Sequence, residues 1–181
     1  MPTRLLALIP SSVAINLVMG FIVNQLGLPV YLDTLGTVLA AGLAGPVAGL
    51  LTGLVSQMVR SLYEGFVWFP FVLIQLLIAL VAALARRTGG FASAARSIAW
   101  GVAAGVAGGS ASATISYTLF EGVTATGVTA ITALLSAFGV ERAPAVLLAS
   151  ITTDVLDKVL VFSMAGVALR SLPRRLAARY R

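Results

Sequence analysis

Tyr31-Leu-Asp-Thr-Leu-Gly-Thr-Val-Leu-Ala-Ala-Gly-Leu-Ala-Gly-Pro-Val-Ala-Gly-Leu-Leu-Thr-Gly53 is the stretch whose reading decides the fold of this 181-residue chain. It sets one carboxylate, Asp33, at the mouth of an apolar run, then interrupts the run with Gly45-Pro46 and glycines at four-residue spacing. Read as one helix from Thr34 to Val59 it would be about 39 Å long at roughly 1.5 Å per residue, well over a hydrocarbon core of about 30 Å. Pro46 would also break its hydrogen-bond ladder and disfavour helix at Gly45. The alternative is a tight hairpin, with a short span over about 30–44, a turn at Gly45-Pro46 and a second span over about 47–62. Basic residues choose between the two. With the hairpin, Arg4, Arg86, Arg87, Arg96, Arg170, Arg174, Arg175, Arg179 and Arg181 share one side, nine of the twelve Lys and Arg. The positive-inside rule makes that side cytoplasmic. A single span would divide Arg4 from the Arg86-Arg87-Arg96 loop. Gly45, Gly49 and Gly53 also give the hairpin a smooth face for close packing.

Composition sets the class. At 59% hydrophobic and 10% charged residues, with mean hydropathy +1.03, the chain has too little polar surface to cover a soluble core. Its apolar runs have helix length rather than barrel-strand length. The expectation is an all-α integral membrane protein, one transmembrane domain over 1–181, folded as a six-helix bundle with both termini cytoplasmic. Its place is the prokaryotic cell membrane. With no Cys and no His, thiol nucleophiles, imidazole bases and the commonest zinc ligands are excluded. No enzyme activity, metal or cofactor is expected. The net charge of +6 flanks apolar runs, so it reads as a topology signal and not as a nucleic-acid surface.

The remaining spans follow in order. The first covers about 5–26; its length and its Pro10, Asn16 and Asn24 mark a retained helix rather than a cleaved leader. Ala7, Ser11 and Ala14 form a small-residue face on it, suited to packing within the protein or to docking a partner helix. Ser61–Pro70 is an outer turn whose Tyr63, Phe66, Trp68 and Phe69 suit an interfacial belt. The fourth span, about 71–85, carries Gln75, and the cytoplasmic loop 86–96 follows. Along the fifth, about 98–119, Gly101, Gly105, Gly109 and Ala113 form one four-residue series and Ala104, Gly108, Ser112 and Ser116 the next. Residues 120–142 are an outer loop with a short helix near 128–138, a lid candidate. The last span, about 144–169, holds Asp154, Asp157 and Lys158.

Charges at that depth cost at least about 2.5–3.5 kcal/mol on insertion scales, so they are paired or functional. Asp154 and Lys158 have the i,i+4 order of a structural ion pair. Asp157 is then left to bind a cation, to neutralise, or to pair with Lys158 instead. Two carboxylates one turn apart are a weak Mg²⁺ signal without acids on a facing helix. Asp33, Glu64, Glu121 and Glu141 all map to the outer half. Two explanations stand: the basic inside leaves acids elsewhere by default, or an acidic cup attracts a cationic solute.

Six short spans, the Tyr31-Leu-Asp-Thr-Leu-Gly-Thr entry into Gly45-Pro46-Val-Ala-Gly49-Leu-Leu-Thr-Gly53, Asp157-Lys158 and the basic Leu172-Pro-Arg-Arg tail together resemble the substrate-binding S component of energy-coupling factor (ECF) transporters. The resemblance implies a high-affinity vitamin or micronutrient binder with no ATPase of its own. It implies a ligand site in the outer half and partnership with a transmembrane T component and two ATPases, which topple the S component in the bilayer. Ala7 and Ser11 match the small-residue docking positions of helix one, and Ala14 extends that face. Combined with the acid asymmetry, the resemblance implies a cationic or amine-bearing solute held among Asp33, Glu64, Gln75, Glu121 and Asp157. Tyr31, Trp68 or Tyr117 would provide aromatic cover. The alternative from another class is a ligand-responsive membrane sensor or interaction module without transport.

Overall fold

The computed structural model describes residues 3–122 and 127–173, and every regular element among them is helical. The elements are α1 (Thr3–Gln25), α2 (Leu35–Ala44), α3 (Pro46–Tyr63), a 3-10 segment (Phe66–Phe71), α4 (Val72–Arg87), α5 (Ala94–Phe120), α6 (Gly127–Ala137) and α7 (Arg142–Ser171). Among the described residues three stretches are long and apolar enough to cross a membrane: Leu5–Gln25, Phe66–Arg87 and Ala94–Phe120. The tail arginines Arg174, Arg175, Arg179 and Arg181 lie outside the described residues.

The hairpin turns on one residue. Gly45 closes α2 by donating its N–H to the Ala41 carbonyl at 3.0 Å and takes φ 92°, a left-handed conformation that side chains resist. Pro46 then opens α3 at its first position, where the missing N–H has no helical partner to lose. Gly49 meets Ala41 and Ala79, and Gly53 meets Gln75, so the glycine face brings α2 and α4 onto α3.

Contacts along the helices give their directions. Gly20 of α1 lies against Asp33 while Asn16 binds Gly36 and Thr37, so α1 and α2 run opposite ways. Gly101, Gly105 and Gly109 of α5 meet the backbone of Val159, Val155 and Ile151 in turn, an antiparallel seam with α7. Gly42, Phe91, Leu169 and Arg170 therefore gather at the Gly45 end of the bundle, where Arg170 donates to the Phe91 carbonyl at 2.9 Å. Asp33, Arg60, Glu64 and Trp68 gather at the other.

The core between them is Val38 and Ala41 of α2, Ile78 and Ala82 of α4, and Val161 and Phe162 of α7, with Phe91 stacked on Phe162 at 5.8 Å. Leu73, Leu80, Leu84, Val102, Val106, Leu156, Leu160 and Val167 point outward. An apolar exterior of this extent is what a helical membrane protein presents to lipid.

One boundary departs from the sequence reading. The second span was expected from about residue 30, yet α2 starts at Leu35 and has only 10 residues, about 15 Å of helix. Leu32 adopts φ 50° and ends any helical path through the preceding residues. The N–H groups of Tyr31 and Leu32 instead donate to Asp157 Oδ1 at 2.9 and 2.7 Å. Irregular backbone inside an apolar bundle is tolerable where protein groups satisfy it, and Asp157 does so.

Candidate functional site

The short α2 needs help at its N-terminus, because Thr34 at the cap position makes no side-chain capping bond. Asn16, from the neighbouring helix, supplies it. Its Oδ1 accepts from Gly36 N–H at 2.6 Å and Thr37 N–H at 3.3 Å, and its Nδ2 donates to Thr37 Oγ1 and Ser56 Oγ at 2.8 and 2.9 Å. Thr37 Oγ1 donates onward to Gln75 Oε1 at 2.9 Å, and Gln75 Nε2 donates to the Asp33 carbonyl at 3.0 Å. A continuous polar chain thus fixes the loop that carries Tyr31, Asp33 and Thr34.

That loop forms one wall of a half-open chamber. Gln57 and Arg60 of α3, Trp68 and Phe71 of the 3-10 segment, and Ile74 and Gln75 of α4 line it. Ser112 and Ser116 of α5, Val128 of α6, and Asp154 and Lys158 of α7 complete the wall. Its free interior is about 40 Å³. Beyond Tyr31, Arg60 and Trp68, which border both spaces, lies a vestibule of about 280 Å³ bounded by Gly20, Asn24 and the loop Gly27–Tyr31.

Charge in and behind the chamber wall falls into two groups. Arg60 bridges Asp33 (Nη1 to Oδ2, 2.5 Å) and Glu64 (Nε to Oε2, 2.7 Å) while its guanidinium covers the Trp68 ring at 4.0 Å. Lys158 contacts Asp157 closely and stands 3.7 Å from Asp154. Four carboxylates therefore share two cations.

The sequence-selected residues fare differently. Tyr31, Asp33, Trp68 and Gln75 line the chamber. Glu64 sits behind Arg60 as its ion-pair partner and is not part of the lining. Asp157 is fully buried and spends its oxygens on Lys158, Tyr31 and Leu32, which makes it a fastener of the loop. Tyr117 is 48% exposed on the outside of α5, and Glu121 is an exposed left-handed cap after it; neither borders the chamber. Asp154, expected as half of a structural pair with Lys158, faces the chamber, and the closer partner of Lys158 is Asp157. With Asp157 so committed, the two acids are not a free pair for a divalent ion. Among the described residues no group of three or more His, Cys, Asp or Glu could hold a metal. Ala7, Ser11 and Ala14 are exposed along α1.

Sequence reasoning did not select Thr34, Gln57, Arg60, Ser112, Ser116 or Asn16 for the site. Arg60 and Glu64 carried a usable signal, an i,i+4 pair at the end of an apolar helix. Asn16 showed only as one of several polar residues, with Ser11 and Asn24, in an apolar run.

Fold and site together define a class: an apolar, all-helical bundle that encloses a charged chamber near one end. Comparison with known proteins finds no matching family model, no matching curated protein and no matching solved structure.

Proposed function

We propose that this chain is the substrate-binding (S) subunit of an ECF-type importer. Six helices, α1 to α5 and α7, cross the cell membrane with both termini cytoplasmic, and the chamber opens outward to capture a vitamin or related small micronutrient. The observation that carries the reading is the chamber lined by Asp33, Arg60, Asp154 and Lys158, with Glu64 and Asp157 behind its wall, at the end of the bundle away from Arg86, Arg87, Arg96 and Arg170. The alternating helix directions support the topology, and the arginine-rich end supports its orientation. The imbalance of acids supports a cationic or amine-bearing solute. Protein walls of low dielectric strengthen the field of such a cluster.

Capture alone moves nothing, so the reading requires a transmembrane T component and two ATPases. The exposed Ala7-Ser11-Ala14 face of α1 suits close approach of a partner helix. Affinity purification from native membranes is expected to recover a T-type subunit and two ATPases with the wild type. Ser11→Leu should lose them while the variant keeps its fold, since an exposed substitution shifts stability by only about 0.5 kcal/mol. Recovery of a signalling kinase, or of no partner, would sink the importer reading and favour the sensor alternative.

A further inference from the structure

Of the described charged groups around the chamber, all but one have hydrogen-bonded partners; Asp154 keeps only its 3.7 Å ion pair with Lys158. Arg60 holds Asp33 and Glu64, while Asp157 holds Lys158 and the two loop N–H groups. Asp154 is the exception. It is 3% exposed, its Oδ2 has no hydrogen-bond partner, and its Oδ1 lies 3.7 Å from Lys158, too far for a hydrogen bond. A second unpartnered atom borders the same space. Thr34 Oγ1, on a residue 2% exposed, is free because Asn16 has taken over the capping that a threonine at this position ordinarily does. Leaving two buried polar atoms unmatched is costly, and a ligand that matches them recovers the loss.

We infer that Asp154 is the anchor for a primary ammonium group of the solute, which Thr34 and the α5 serines Ser112 and Ser116 receive as further acceptors. The inference rests on the reading of the chamber as a solute site. An ammonium offers three donors and no acceptor, which fits a carboxylate and hydroxyls lining one space. The interior of about 40 Å³ admits only the amine-bearing tip of a molecule, and the body belongs in the 280 Å³ vestibule beyond Tyr31 and Trp68. The solute class is therefore a primary amine on a short arm from a larger body.

The test uses the full chain purified in detergent, with benzylammonium as probe, benzyl alcohol as its neutral counterpart, and Trp68 fluorescence with calorimetry as readouts. Saturable binding of benzylammonium at least about tenfold tighter than the alcohol is expected, with Asp154→Asn removing about that factor and Thr34→Val a few-fold. Should Asp154→Asn fail to fold, Ser112→Val, which fills the chamber wall, is expected to lose the same preference. Equal affinity for the alcohol, no binding of the amine, unchanged binding by Asp154→Asn, or the same response to sodium chloride alone would overturn the inference. Amine preference in a protein that recovers no ATPase partner keeps this site and sinks the importer reading. A recovered partner without amine preference does the reverse.

Discussion

Two regions hold the bundle together by opposite means. Between α5 and α7 the fit is steric: Gly101, Gly105 and Gly109 bring one backbone against another. At the junction of α1, α2 and α3 the fit is polar: Asn16 satisfies two N–H groups and two hydroxyls at the point where the irregular loop gives way to α2. The difference follows from what each region carries. The seam places Asp154, Asp157 and Lys158 of α7 and needs only a straight, rigid helix. The junction supports an irregular loop, whose backbone groups must each find a partner in an apolar setting.

Asp157 joins the two regions, being on α7 and bonded to Tyr31 and Leu32. Asp157→Ala is expected to have the largest effect, about 3–5 kcal/mol, because it leaves the buried Lys158 only its 3.7 Å contact with Asp154 and unpairs the Tyr31 and Leu32 N–H groups. Thermal unfolding in detergent would measure it, and Lys158→Met added to Asp157→Ala should restore part of the loss. If the single variant is as stable as wild type, the fastening role is wrong. Gly105→Val comes next, at about 3 kcal/mol, since its side chain must displace the Val155 backbone. Its signature is loss of monodisperse protein on size exclusion; an unperturbed elution would mean the seam is looser than its glycines imply. Asn16→Leu is expected to cost about 2 kcal/mol and to raise hydrogen exchange at Gly36 and Thr37 while leaving α5 and α7 protected. Uniform loss of protection would erase the distinction between the regions.

Much of this arrangement was legible in the chain. The basic residues favoured a turn at Gly45-Pro46 over one long helix, and the two small-residue series of α5 were visible as one broad surface; only the structure divides them, Gly101, Gly105 and Gly109 to α7, Ser112 and Ser116 to the chamber. The start of α2 was not legible, because the group that unwinds Tyr31 and Leu32 from helix lies more than a hundred residues away on Asp157. The same holds for Arg60, whose role depends on Asp33 reaching it across the hairpin. Tyr117 was chosen for type and depth, yet its register turns it outward. Spacing gives the face of a helix; only packing tells what that face meets.

The central claim is that the chamber end faces outside and the Gly45 end faces the cytoplasm. The chain has no cysteine, so single replacements label cleanly. Leu28→Cys, in the exposed vestibule loop, and Thr88→Cys, in the exposed turn after α4, mark the two ends. With a membrane-impermeant maleimide on intact cells, position 28 should label at once and position 88 only after permeabilisation. Labelling of both from the same side would contradict the six-span topology and the outward-facing chamber together.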